Sequence, residues 1–428
     1  MLLTLNTLRA APRLSRSFSS QIKTLTVSDF ITDRLYAKGH GYFSKPDNQL
    51  GTLGEAIPFT ELFGYEDYSK ILAERYPKNA WLTPSEIFRP YYGMTIASYI
   101  DTQRKAEHEL DPSTKGLPLK ILEAGAGNGT AAASILNFFK LFRPQTYRTM
   151  QYTIVEISEA MISRCRATLT KLHPQLIASG QIKFVNCGIR DYPHHCTDTV
   201  FLIMLEVLDN MPHERVYFDE NQEPTGQAMV QMNSDNPDEC KEVINKVLDR
   251  STLELFKMWR DINSQQESVD RSSKYETLVT RLYKSMRRIH RTDNVFLPTY
   301  CYQTIQNLHK VLPQAKYILS DFDMLREAPT AGSGFNAPTV STKLEASDAK
   351  KDYDSYLVPR GAADIFFPTN FRLLRLMHQK TTGNDSEFLK TWEFVERYSD
   401  KNWAATKSGY NPLKEDFLNT SFFISQTK

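Results

Sequence analysis

The stretch that most narrows the possible folds is Ile121-Leu122-Glu123-Ala124-Gly125-Ala126-Gly127-Asn128-Gly129-Thr130. An apolar segment, Leu119–Ala124, runs into three glycines separated by single residues. Residues Thr130–Phe142 follow, with Ala131, Ile135, Phe138, Phe139 and Phe142 at helical spacing. Glycine permits a tight turn and lets another molecule approach the backbone. Strand, glycine turn and helix in that order open a parallel βαβ unit, which requires helices on the faces of a sheet.

The same alternation continues. Tyr152–Ile157, Ile182–Asn186, Val200–Glu206 and Tyr317–Phe322 read as further strands, and Ser158 is placed to N-cap a helix reaching about Leu172. The expected architecture is α/β: a Rossmann-like sheet with helices on both faces over 117–428, with an N-terminal helical segment and large helical insertions. Pro112, Gly116 and Pro118 mark the boundary with residues 28–116, which read as helix and loop contributing to the site. An insertion is expected at about 219–295. Its first part, 219–245, is acidic and polar and reads as an exposed loop. Residues 241–291 are charged and helical in pattern, and end in the basic run Lys284-Ser285-Met286-Arg287-Arg288-Ile289-His290-Arg291, read as a solvated helical face. Residues 327–356 read as loop. Ile365–Phe367 and Ser421–Ile424 read as late strands flanking a helix, Asn370–Gln379.

Composition removes several function classes. With 52 Lys+Arg against 50 Asp+Glu, the chain is nearly neutral, so bulk electrostatic binding of nucleic acid is not expected. No stretch offers about 18 uninterrupted apolar residues, so no membrane span is expected. None of the 5 cysteines forms a C-x-x-C pair, which suits a reducing compartment. His194-His195-Cys196 has no distant partner and reads as loop, so no metal site is expected. Residues 1–28 contain no acid but hold Arg9, Arg13, Arg16 and Lys23 among many Ser and Thr. That is the composition of a mitochondrial transit peptide, assigned to residues 1–20.

The glycine turn also limits the ligand. Dinucleotide sites need G-x-G-x-x-G, but Thr130 occupies the third glycine position, and no Lys follows to make a phosphate loop. Glu123, just before the glycines, would repel a pyrophosphate and attract a ligand carrying an amino group and a sulfonium. This is the E/D-x-G-x-G-x-G pattern of S-adenosylmethionine binding; the alternative is a fold that keeps the turn for packing alone. Glu156, at the end of the second strand, is placed to accept hydrogen bonds from both ribose hydroxyls. Its spacing from the glycines exceeds the usual value of about 20 residues because of the insert 143–150. Many methyltransferases carry an acid where Gly188 falls, to meet the adenine amino group; here backbone near Ile189, or Asp191, must serve. The expected cofactor residues are Glu123, Gly125, Gly127, Asn128, Gly129, Glu156, Ile157 and Ile189.

Several separated segments resemble the MidA-type methyltransferases. They are Gly41-Tyr42-Phe43, Gly51-Thr52-Leu53-Gly54-Glu55, Leu82-Thr83-Pro84-Ser85-Glu86-Ile87 with Gly93, Glu123–Thr130, Val155-Glu156-Ile157-Ser158 and Glu206–Pro212. The likeness spans about 40 to 425. It departs from the family pattern at Pro84-Ser85, Asn128 and Leu205, and in the long segment 56–81. The resemblance implies an S-adenosylmethionine-dependent enzyme of the mitochondrial matrix that methylates protein arginine and assists assembly of a respiratory complex. Its partner would then be a respiratory-complex subunit. Carboxylates are the natural partners of a guanidinium, so Glu86, Glu206 and Asp209 are the catalytic candidates. Glu206 and Asp209, three apart, would project together from a helical turn. Two other readings remain open: a non-catalytic assembly factor, and an RNA methyltransferase using the basic run.

Overall fold

The computed structural model describes residues 22–45, 50–78, 80–272, 293–325, 329–344 and 349–425, the backbone alone over 265–272. The expected targeting segment and the basic run 284–291 lie outside the described residues. The strands in chain order are β1 (Ile22–Thr26), β2 (Lys120–Ala124), β3 (Gln151–Glu156), β4 (Ile182–Asn186), β5 (Val200–Leu205), β6 (Glu214–Phe218), β7 (Pro224–Asn233), β8 (Cys240–Asn245), β9 (Asn294–Leu297), β10 (Ala315–Phe322), β11 (Thr339–Lys343), β12 (Lys350–Asp352), β13 (Asp364–Phe366), β14 (Ser386–Lys390) and β15 (Thr420–Ser425).

The central sheet has seven strands in the order β14-β15-β10-β5-β2-β3-β4. Its run β10-β5-β2-β3-β4 is parallel, and β15 and β14 add antiparallel pairs at one edge. Successive residues of β2 enter different cores. Ile121 packs with the face carrying helices Tyr91–Leu110 and Thr130–Phe142, whereas Leu122 packs with the face carrying Thr299–Val311 and Phe371–Thr382. A strand buried on both faces needs a continuous apolar run rather than alternation, and Val200–Met204 is such a run. The order reverses between β2 and β5, so a crevice opens beyond their carboxyl ends.

Helix Tyr91–Leu110 lies close against Thr130–Phe142 because of Gly93. A Cβ there would fall 2.6 Å from the Ser134 Cβ and 3.0 Å from the Ala131 carbonyl oxygen.

A second, antiparallel sheet corrects the reading of the insertion. β1 pairs with β7, β7 with β6 and β8, and β6 with β9. Residues 219–245, expected as loop, therefore supply a hairpin. Only alternate positions, Ala228, Val230 and Met232, are apolar and fully buried, because the strand exposes its other face. The long helix Arg250–Ser272 follows. Part of 327–356, also expected as loop, forms β11 and β12 in a three-stranded sheet with β13; the buried residues of β11 include Thr339 and Ser341, so apolar content did not reveal it. The N-terminal helix Val27–Tyr36 packs Val27, Phe30, Ile31 and Leu35 on this second body. Its Arg34 is wholly buried, lies 4.2 Å over the Phe30 ring and donates to the Pro237 carbonyl at 2.6 Å. The late strands and helix lie where the sequence placed them, with Asn370 capping Phe371–Thr382.

The helix contact yields a stability test. Gly93→Val should lower unfolding free energy by about 1–3 kcal/mol through overpacking, read as a reduced midpoint in thermal or urea denaturation. An unchanged midpoint would mean the two helices separate without cost.

Candidate functional site

A cavity of about 410 Å³ opens beyond the parallel strands, within the range of small-molecule sites. Gly125 and Gly127 line it after β2, Glu156 and Ile157 at the end of β3, Gly188 and Ile189 after β4, and Glu206 after β5. A recess of about 50 Å³ adjoins it and shares Leu50, Thr83, Gly125, Gly127, Leu205 and Glu206.

The three glycines of the turn have φ of 70°, 53° and 80°, in the left-handed region where a Cβ is strained. Their neighbours separate their roles. A Cβ on Gly125 would meet Val207 at 2.6 Å, and one on Gly127 would meet Leu50 at 2.7 Å. Gly129 faces Cys165 of the helix Glu159–Leu172, 2.8 Å from its ideal Cβ, and lies off the cavity wall. Thus Gly129, expected at the cofactor, brings two helices together. Asn128 borders only the recess, and its Nδ2 donates to the Gly51 carbonyl at 3.2 Å.

The two strand-end acids differ. Glu156 accepts the backbone N–H of Ser158 at 3.0 Å and those of Gly127 and Ile157. Burial pushes its carboxyl up, and these amides oppose that shift. Glu123 borders the recess rather than the cavity. Its Oε2 accepts the Tyr152 hydroxyl at 2.7 Å, and burial pushes its carboxyl up to about 7 against that hydrogen bond, with the Glu156 charge adding to the rise.

Glu86 departs from the role expected of it. Its Oε1 accepts the Leu53 N–H at 2.8 Å and lies 3.1 Å from Arg89 Nη1, while its Oε2 accepts the Thr130 hydroxyl at 2.6 Å. The carboxylate is thereby committed to joining the segment around Leu53 to the start of the helix after the glycine turn. Thr83 makes no capping bond at this short helix. Glu86 is a positioning residue, one wall of the recess.

Glu206 and Asp209 do reach the cavity, but not from a helical turn. Glu206 is a single left-handed residue, φ 52°, anchored by its N–H to the Ser320 carbonyl at 2.8 Å. A tight turn follows, built on Asp321 at the end of β10. Asp321 is fully buried, and its Oδ2 accepts the N–H of Leu208 at 2.8 Å and of Asp209 at 3.1 Å. Asp364, before β13's Ile365, joins through Asn210, whose Nδ2 donates to Asp364 Oδ1 at 2.7 Å.

Burial is the first cause of upward shifts in all four carboxyls. Asp209 is pushed up to about 7, and Glu206, Asp321 and Asp364 well above the usual carboxylate range, with mutual repulsion adding in the last three. The cavity wall carries Glu156, Glu206, Asp209 and Asp364 and no Lys, Arg or His. None of the four forms an ion pair among the described residues. The rest of the wall is largely apolar, with aromatic rings from Tyr36, Tyr42, Phe43, Trp81, Tyr300, Phe322 and Phe366.

Sequence reasoning missed Asp321, Asp364, Tyr36 and Tyr300. Asp321 was findable, since it ends a predicted parallel strand as Glu206 does. Tyr36 and Tyr300 come from outside the strand–helix pattern and carried no local signal. Among the described residues no group of three His, Cys, Asp or Glu is arranged for a metal ion, and no helix is long and apolar enough to cross a membrane.

The residues present fit S-adenosylmethionine: strained glycines keep Gly125 and Gly127 free of side chains at the wall, and acids without basic partners match a cationic ligand. Comparisons agree. Residues 103–389 match a family described as "Putative S-adenosyl-L-methionine-dependent methyltransferase". No curated protein matches the chain by sequence. A COG1565 superfamily member from Burkholderia thailandensis, solved with S-adenosyl-homocysteine bound, superposes with TM-score 0.55 at 16% identity, covering 94% of this chain and 88% of that one. A native structure of a COG1565 protein from the same organism gives TM-score 0.53 at 15% identity, covering 94% and 87%. These two show a shared fold, and the sequence match over 103–389 shows the family: the chain belongs to the S-adenosyl-L-methionine-dependent methyltransferases of this group.

Proposed function

We propose that this methyltransferase acts on a cationic nitrogen, the guanidinium of a protein arginine, in the mitochondrial matrix. The observation that carries the acceptor is the cavity wall: Glu156, Glu206, Asp209 and Asp364 face one space without a basic side chain among them. Buried carboxylates left without a cation are costly. Two positively charged occupants, cofactor and acceptor, would relieve that cost. The compartment and a respiratory-complex subunit as substrate rest on the N-terminal composition and on the family resemblance.

When bound, S-adenosylmethionine supplies an electrophilic methyl group on a sulfonium. The protein's part is to hold and orient the acceptor and to take one proton. Glu206 and Asp209 can each accept N–H bonds from the planar guanidinium, which fixes its face toward the glycine turn. Methyl transfer to nitrogen releases one proton, and an ionised carboxylate of this cluster accepts it. Asp321 acts through Asp209, by holding the turn that carries it. Aromatic walls exclude water, which strengthens these interactions.

Cofactor and acceptor roles separate by mutation. Gly127→Val should abolish calorimetric binding of S-adenosylmethionine, because the side chain strains a left-handed residue and collides with Leu50. Glu206→Gln and Asp209→Asn should leave cofactor affinity within about threefold and lower kcat/KM for an arginine peptide by about 10² or more. Respiratory growth restored by Gly127→Val in a deletion strain would favour the non-catalytic assembly role instead.

The pH dependence has a worked sign. Glu123, Asp209 and Glu214 are each pushed up to about 7 by burial, above the unfolded value of about 4. The folded state holds more protons between these values, so their contribution to stability is present below about pH 4 and is lost as pH rises through 7. The ligand-free protein should melt progressively lower from pH 5 to 8. Cationic ligands should reverse part of that fall and release protons on binding at pH 6, seen as a buffer-dependent calorimetric enthalpy. Equal enthalpies in buffers of different ionisation heat would remove the carboxylates from the binding site.

A further inference from the structure

Gly188 stands where related enzymes present an acid to the adenine amino group, yet its backbone does not require glycine. Its φ of −67° and ψ of 143° are open to any residue. The space a side chain would enter is claimed from elsewhere. An ideal Cβ on Gly188 would lie 3.5 Å from the Tyr300 hydroxyl and 3.8 Å from Asp191 Oδ2.

Tyr300 is the second residue of the helix Thr299–Val311, which packs on the short turn Ile189–Asp191. It is only 9% exposed. The Arg190 guanidinium sits 4.3 Å from its ring centroid and holds the ring in place. The hydroxyl makes no hydrogen bond to the described residues and, unlike that of Tyr317, is not enclosed, so it opens to the cavity. Tyr300 lines the cavity together with Ile157, Gly188 and Ile189, none of which borders the recess. A hydroxyl without a partner, carried on a ring that is nine-tenths buried and open to a ligand cavity, is placed to bond the ligand.

We propose that Tyr300 is the base-recognition residue of this methyltransferase, its hydroxyl accepting an N–H of the adenine amino group in place of the carboxylate that position 188 lacks. The inference rests on the family's cofactor and not on the identity of the methyl acceptor. A phenol oxygen can accept from an amino group as a carboxylate does, but without charge. Glycine at 188 then has a reason: a longer side chain would compete with the hydroxyl for the same space.

The test uses the full chain, calorimetry, and two probes: S-adenosylhomocysteine and its purine analogue lacking the 6-amino group. Tyr300→Phe should weaken the first about tenfold and leave the second within about twofold, as expected for one buried hydrogen bond. Adding Gly188→Asp to that variant should restore most of the lost affinity for the first probe alone. Equal weakening of both probes would reduce Tyr300 to a packing residue and overturn the proposal, as would no change in either. Should Tyr300→Phe melt early, the native chain decides: it must hold the amino-bearing probe about tenfold more tightly than the analogue, and equal affinities for the two sink the idea. Because no acceptor is present, failure here leaves the arginine reading untouched, and failure of that reading leaves this one standing.

Discussion

Three backbone amides converge on the Glu156 carboxylate, from Gly127, Ile157 and Ser158. That convergence ties the glycine turn after β2 to the end of β3, side by side at the reversal of strand order. The crevice exists because parallel strands end together there and their helices diverge. The amides and the carboxylate line its floor. Glu86 performs the matching task on the other side, joining Leu53 and Thr130. The glycine turn is thus held between two carboxylates, Glu156 and Glu86.

The electrostatic character of the cavity comes from a different set of elements. Glu206 and Asp209 follow β5, Asp321 ends β10, and Asp364 belongs to β13 in a separate small sheet. Asp321 contributes by accepting two amides of the turn beneath Asp209, so it shapes the site without lining it. Burial raises the proton affinity of all four acids, and repulsion from their neighbours adds for Glu206, Asp321 and Asp364. The helix Val27–Tyr36, packed on the second sheet, brings Tyr36 to the cavity wall. Tyr36 donates to the Asn210 carbonyl at 3.0 Å, which fastens that N-terminal helix to the acidic turn. The N-terminal segment is therefore part of the cavity wall as well as of the second core.

Legibility in the sequence followed the physics of each element. β5 was plain because a strand buried on both faces favours a continuous apolar run, and β2 and β10 because each carries a shorter one, Ile121-Leu122 and Tyr317–Leu319. The helix Thr130–Phe142 was plain because its apolar face repeats at helical spacing. β7 and β8 were hidden because a half-solvated hairpin needs only alternate apolar residues, and Gln227, Gln231 and the flanking acids masked them. β11 was hidden because the buried positions Thr339 and Ser341 are not apolar. At the site, Gly125, Gly127, Glu156, Ile157 and Ile189 are local to strand ends, and the structure brings them to one cavity. Gly129, Asn128 and Glu86 carry the same local signatures but are directed elsewhere by contacts with Cys165, Gly51 and Leu53, which lie far away in sequence.

By itself, then, the sequence determined a parallel sheet, the position of its glycine turn, and the acids at its strand ends. These depend on periodicity and on residues adjacent along the chain. Only the tertiary structure decided which acids share a cavity, that Glu86 supports rather than faces it, and that Tyr300 fills the space beside Gly188. Those outcomes depend on close approaches between residues 33 and 174 positions apart (Leu53 to Glu86, Tyr36 to Asn210). Such approaches leave no periodic trace, because long-range packing constrains the volume and polarity of a neighbour and not its place in the chain.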